Sequence, residues 1–235
     1  MKTAIITGGS KGIGLGIANA LLEHGYNVVI TSRSEKKAKE IATSLEAKYG
    51  NRIHGIGCDV RNFKSQLDCV ESTILKYGAV DVMIANAGVG HFSPIEDMSL
   101  ENWNATIDTN LTGVFHSTKA SIEALKKSQG YLITIASLAG TNFFPKGSAY
   151  NASKFGLVGF TQSVMLDLRQ YGVKVTTIMP GSVSTHFNGN TPGNEDDWKI
   201  QPEDIGQMVV DLLSMNPRTL PSKIEVRPTI PGGKK

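Results

Sequence analysis

An α/β fold, a seven-stranded parallel sheet doubly wound by helices on both faces, is what this 235-residue chain predicts. Short β-rich runs alternate with longer helical patterns from end to end, the signature of βαβ units. Seven such runs can be read, enough for a full doubly wound sheet. No composition shift, internal repeat or low-complexity linker divides the chain, and its length suits one domain spanning residues 1–235 with a substantial core.

The first strand is TAIIT at 3–7, followed by IGLGIANALLEHG at 13–25, with apolar residues at helical spacing and Gly25 as the glycine that ends the helix. NVVITS at 27–32 is the second strand, and the helix at 34–50 opens on Ser34 as its N-cap and stops at Gly50. RIHGIGC at 52–58, a helix over 62–77, VDVMIANA at 80–87 and a long helix over 100–127 continue the alternation. YLITIAS at 131–137, a helix over 149–171 and KVTTIMP at 174–180 follow, then a helix over 202–214 and a last strand, KIEVRP, at 223–228. Residues 182–200 break the rhythm, with several turn formers and little periodicity; such a segment predicts a lid or a plain surface excursion.

Composition narrows the function classes. Forty per cent hydrophobic and 19% charged is an ordinary soluble balance, with disorder expected only at the tail PGGKK. A net charge of +3, dispersed over helices, argues against a nucleic-acid partner. Cys58 and Cys69 lack metal-ligand spacing and read as buried thiols of a reduced compartment; no metal site is expected. The N-terminus has no signal-peptide pattern and no apolar run is long enough to span a bilayer, so a cytoplasmic protein without a membrane partner is expected.

Directly after the first strand comes Thr7-Gly8-Gly9-Ser10-Lys11-Gly12-Ile13-Gly14, and a helix follows at once. Glycines there permit a tight turn, let backbone N–H groups approach a pyrophosphate and leave room for helix to pack on strand. The helix N-terminus adds its dipole and unpaired donors. The second strand ends Thr31-Ser32-Arg33-Ser34, without the acid that would bind an adenosine 2′-hydroxyl. Arg33, Ser32 and Lys11 suit a 2′-phosphate instead, which predicts NADP(H) as the preferred cofactor, with NAD(H) as the alternative.

With Thr-Gly-x3-Gly-x-Gly on the first strand, ANAG at 85–88, Ser137, Tyr150-x3-Lys154 and Pro180-Gly181, the chain resembles the short-chain dehydrogenase/reductase family in its single-domain branch, whose fold is Rossmann-type. The resemblance implies that the backbone around Gly8, Ser10, Gly12, Ile13 and Gly14 holds the pyrophosphate. It implies that Asp59 and Val60, in CDV, contact adenine, and that Asn86, Ala87 and Gly88 line the cofactor. Asn110, in IDTNLTG, matches the family's active-site asparagine, which bends a helix and holds a water leading from the lysine to solvent. Pro180, Gly181, Val183 and Thr185 would embrace the nicotinamide. Position 85 is Ala where the family often has a second asparagine, and IEVRPTIPGGKK departs from the family's glycine-rich close, which bears on one of its subunit contacts. A homo-oligomer, dimer or tetramer, built through the helices at 100–127 and 149–171 is also implied.

Reducing a carbonyl by hydride transfer builds negative charge on oxygen, so a donor must stabilise it and deliver a proton. Tyr150 can do both. A lysine one helical turn away favours the phenolate, as does an oxidised nicotinamide ring, and Lys154 can also donate to ribose hydroxyls. Ser137 would orient the carbonyl oxygen. The expected activity is that of an NADPH-dependent carbonyl reductase or alcohol dehydrogenase acting on a small-molecule ketone, aldehyde or alcohol.

Candidate substrate-wall residues are His91, Phe92, Phe143, Phe144, Phe187 and Trp198, whose apolar character suits a hydrophobic carbonyl. The alternative substrate is a 3-oxoacyl thioester on acyl carrier protein, slightly disfavoured because Glu195-Asp196-Asp197 would repel an acidic carrier. A sugar-nucleotide epimerase would need a larger C-terminal substrate domain, and a non-catalytic cofactor-binding regulator would have no reason to keep Asn110, Ser137, Tyr150 and Lys154 together.

Overall fold

The computed structural model describes residues 1–230; the tail expected to be disordered lies outside the described residues. Strands β1 (Thr3–Ile6), β2 (Asn27–Ser32), β3 (Ile53–Gly57), β4 (Val82–Ala85), β5 (Tyr131–Ile135), β6 (Lys174–Pro180) and β7 (Lys223–Val226) form one sheet in the order β3-β2-β1-β4-β5-β6-β7. Every pairing is parallel, with Ile5 of β1 in register with Val29 on one side and Met83 on the other.

Each inner strand is buried on both faces, so its residues serve two cores in turn. Ala4, Ile6, Val28, Ile30, Val82 and Ile84 point to helices α1 (Gly12–Glu23), α2 (Glu35–Tyr49) and α7 (Pro202–Ser214). Ile5, Val29 and Met83 point the other way, to α3 (Phe63–Tyr77), α5 (Gly113–Ser128) and α6 (Ser148–Leu168), in a core that also holds the free thiols of Cys58 and Cys69. At about 1.5–3 kcal/mol for each large aliphatic side chain removed from water, this two-sided burial is what holds the layers together.

Strand order reverses between β1 and β4. The loops leaving their carboxyl ends diverge there and open a crevice, where ligands bind in sheets of this kind. Local chemistry delivers the helices as read: Ser34 accepts from the Lys37 N–H at 3.3 Å to cap α2, and Gly25 and Gly50 take φ of +82° and +60° where α1 and α2 end.

Two helices differ from their expected extent. The run at 100–127 is α4 (Leu100–Ile107), a π-helical turn Asp108–Thr112, then α5. The helix expected over 149–171 stops at Leu168 and tightens into a 3-10 turn before Gly172 at φ +73°. Segment 182–200 has only short 3-10 turns and one bridge, Val183 to Ile200. Among the described residues, no helix is long and apolar enough to cross a membrane, and no group of three or more His, Cys, Asp or Glu could hold a metal.

Candidate active site

The loop after β1 is tied down from β4. Thr7, buried at the end of β1, accepts from the Asn86 and Ala87 N–H groups through its hydroxyl at 3.0 and 3.1 Å. The Asn86 side chain donates back to the Thr7 and Gly8 carbonyls at 2.8 and 3.2 Å. Gly8 and Gly12 hold φ of +65° and +53°, conformations that a side chain strains. Gly14 is required for space rather than for its dihedrals. A Cβ there would stand 2.6 Å from both the Asn86 Nδ2 and the Gly8 carbonyl, so its hydrogen lets α1 start against the loop.

Helices α2, α3 and α4 are capped by Ser34, Asn62 and Ser99, whereas α1 has no side-chain cap. Its first-turn donors are left for a ligand, and they border a cleft of about 980 Å³. Of the expected cofactor contacts all but Gly14 line this cleft, and of the expected catalytic set all but Asn110. Its size and donor set fit a nicotinamide dinucleotide.

At the β2–β3 end, Lys11, Ser32, Arg33, Asp59 and Val60 converge. They are joined by Arg61, which the sequence reading missed although an Asp and an Arg two residues apart in a strand-to-helix loop can pair. Both Asp59 oxygens accept from Arg61, with Nη2 at 2.6 Å and Nε at 3.0 Å. The Arg61 guanidinium holds the Asp59 carboxyl below its ordinary value.

At the β4–β5–β6 end stand Ser137, Tyr150 and Lys154. Ser137 leaves β5, accepts from the Ala139 N–H at 3.1 Å and borders the cleft with Tyr150. Burial pushes the Tyr150 phenol up from its ordinary value, and the Ser137 hydroxyl opposes the shift. Lys154 is 4% exposed; its Nζ lies 5.7 Å from the Tyr150 ring centre and donates to the Ile135 carbonyl at 3.0 Å. Burial brings this ammonium down to about 8. A phenol drawn down by Lys154 was expected; here burial sets the direction of the shift, and the lysine is itself short of solvation.

Asn110 lies behind this site, in the π-helical turn. Its Oδ1 accepts from the Val89 N–H at 2.8 Å, and its Nδ2 donates to the Val89 carbonyl at 2.8 Å and to Ser153 Oγ at 3.0 Å. It binds the β4 loop to α6 and does not border the cleft. Asn151, also unanticipated, donates to the Ala139 and Asn142 carbonyls at 2.8 Å each, fixing the start of α6 against the loop carrying Ser137. Nothing in the local pattern marks Asn151, because its partners come from another element.

Pro180, Gly181 and Val183 form the wall beyond β6, and Thr185 crosses to the phosphate loop, its Cγ2 3.3 Å from where a Cβ on Gly12 would stand. Of the expected substrate wall, His91, Phe92, Phe144 and Phe187 border the cleft. Phe143 and Trp198 do not. Phe143 is turned outward and 84% exposed, and Trp198 sits on the outer side of a turn closed by the Lys199 N–H on the Asp196 carbonyl at 2.9 Å. The acidic run is likewise divided: Asp196 is buried, bonded to Ser184 and ion-paired with Lys199 at 2.5 Å, leaving only Glu195 and Asp197 exposed.

Comparison with known proteins bears on this arrangement. A family model described as short chain dehydrogenase matches residues 2–196. An uncharacterized oxidoreductase of Staphylococcus saprophyticus is 33% identical over 232 residues, 97% of each chain. D-beta-hydroxybutyrate dehydrogenase of Cupriavidus necator is 37% identical over 185 residues, 78% of this chain and 71% of the relative. The structure of an alcohol dehydrogenase from the archaeon Thermococcus sibiricus, complexed with 5-hydroxy-NADP, superposes with a TM-score of 0.91 at 30% identity, covering 97% of both chains.

Proposed function

Because the chain belongs to the short-chain dehydrogenase family, oxidoreductases of alcohol and carbonyl groups, we propose that it interconverts a ketone or aldehyde and its alcohol, with NADP(H) preferred over NAD(H) and Tyr150 as proton donor. The observation that carries the reading is one cleft with Ser137, Tyr150 and Lys154 at one end and the uncapped α1 N-terminus with Lys11, Arg33 and Arg61 at the other. The 5-hydroxy-NADP complex of the Thermococcus sibiricus alcohol dehydrogenase supports the cofactor preference.

The α1 first turn and the Gly8–Ile13 loop would hold the pyrophosphate, Arg33 and Lys11 a 2′-phosphate, and Lys154 a ribose hydroxyl. When bound, the cofactor supplies or accepts the hydride. Tyr150 Oη donates its proton to the carbonyl oxygen as charge grows there, and a phenol above its ordinary value enters the reductive direction fully protonated. The Ser137 hydroxyl steadies that oxygen. Asn110 acts by position, keeping Val89 and Ser153 where the site needs them. Two free, buried cysteines suit the proposed cytoplasmic setting.

The reading is tested by assaying the purified protein with a broad carbonyl panel and each cofactor. Turnover with NADPH exceeding NADH, and a Tyr150→Phe variant that binds NADPH but loses about 10²–10⁴ in kcat, are expected. Tight NADPH binding without turnover of any carbonyl would return the protein to a non-catalytic role. Preference for NADH, unchanged in Arg33→Ala, would remove the cofactor assignment alone.

A further inference from the structure

The wall beside Tyr150 is made of rings. Phe92 stands edge-on to Tyr150, centroids 5.4 Å apart and planes at 67°, and Phe187 tilts against Tyr150 at 5.7 Å. Phe144 extends the wall 5.8 Å from Phe92, and Phe187 closes it 6.4 Å from Phe92. Phe187 arrives from the irregular segment and sits over Gly90, where a Cβ would come within 2.6 Å of its Cζ and 2.9 Å of the Phe92 Cζ. A side chain at position 90 would therefore force these two rings apart.

The permanent charges in the cleft are committed elsewhere, leaving the His91 and His186 imidazoles as its remaining basic side chains. Among the described residues lining it, Lys11, Arg33 and Arg61 stand at the phosphate-loop end with Asp59. Lys154 lies behind Tyr150 and donates to Ile135, and Lys199 is ion-paired with Asp196. A substrate carboxylate brought beside Tyr150 would lose its water and meet phenyl rings in exchange. A flat neutral ring would gain apolar burial and offset or edge-on contact with Phe92 and Phe187.

Resting on the carbonyl-reducing activity above, we propose that the substrate is a neutral carbonyl compound with an aromatic or alicyclic ring next to the carbonyl, and that Phe187, seated by Gly90, sets this preference. Phe187 borders the same cleft as Tyr150 and its ring lies 5.7 Å from the phenol ring, so a carbonyl compound held at Tyr150 has that ring within contact reach.

The test compares kcat/KM with NADPH for acetophenone, phenylglyoxylate, 2-butanone and pyruvate. Acetophenone should exceed phenylglyoxylate, its carboxylate counterpart, and 2-butanone, its ring-free counterpart, each by about tenfold. Phe187→Leu keeps an apolar side chain but removes the ring, and should cut the acetophenone to 2-butanone ratio by roughly five- to tenfold. Gly90→Ala should cut the same ratio by displacing the rings, with Phe187→Leu as the independent readout. Turnover of phenylglyoxylate equal to or above that of acetophenone would assign a carboxylate seat to His91 or His186 and overturn the proposal, as would an unchanged ratio in Phe187→Leu. No turnover of these four by a protein that reduces other members of the broad carbonyl panel would overturn this inference alone, whereas no turnover of any carbonyl would overturn the enzymatic reading and this inference with it.

Discussion

Lys154 carries its charge where solvation is poorest. Burial lowers its pKa from 10.5 to about 8, while the unfolded chain keeps the ordinary value. Below pH 8 both states hold the proton and the folded protein bears the whole desolvation penalty, roughly 3 kcal/mol. Between pH 8 and 10.5 the folded state sheds its proton before the unfolded one, so the penalty fades as pH rises. Lys154→Met removes it and leaves the Ile135 carbonyl without its donor, a loss of about 1 kcal/mol. The variant should therefore be more stable than the parent by about 2 kcal/mol near neutral pH, with the gap narrowing through the window; calorimetry at several pH values checks this. Tyr150 and Lys154 were legible as neighbours from their helical spacing, and as a candidate site only from the motifs around them: the phosphate loop, Asn110, Ser137 and Pro180-Gly181. Arg61 and Asn151 were not, since the significance of each lies in what the fold sets against it.

Among the elements, the interrupted helix between β4 and β5 is the most instructive. A continuous helix over 100–127 was the natural reading, because the periodicity survives on both sides of the break. The π-helical turn depends on Asn110, whose side chain bonds Val89 and Ser153, residues that no local pattern connects to it. Asn110→Ala would leave the half-buried Val89 N–H and carbonyl unpaired and should lower stability by about 1–2 kcal/mol. Differential scanning calorimetry gives the stability change, and kcat should fall with KM for cofactor little altered, since Asn110 lies behind the cleft. The strands at 27–32 and 174–180 were read to the residue and the other five ran one to four residues long; at 80–87 the surplus Asn86 and Ala87 had turned to bind Thr7.

For the molecule as a whole, the parallel sheet follows from the βαβ alternation, whereas the crevice follows from the strand order the structure adopts, with its reversal between β1 and β4. What the sequence left open was the covering segment, whose aromatic residues divide between cleft and solvent according to turns that carry no periodic signal. Assembly belongs to this scale as well. Phe115 and Phe155, on α5 and α6, are 47% and 42% exposed, an apolar pair on the helices proposed to join subunits. Light scattering after gel filtration should give a dimer or tetramer, and Phe155→Glu a smaller species; a monomeric parent would end that proposal.

One close approach in the fold has a practical consequence for redesign. Gly16 of α1 faces the Pro202 carbonyl with no room for a methyl group, and a Cβ on Gly206 of α7 would stand 2.7 Å from the Gly16 carbonyl. The downstream root of the covering segment is thus wedged against the helix that receives the phosphate. Gly189 and Gly193, by contrast, have open space around them. Insertions meant to admit bulkier molecules belong between those two glycines, where melting temperature should barely change, whereas the same insertion at Ile200–Pro202 should cost soluble yield and cofactor affinity together.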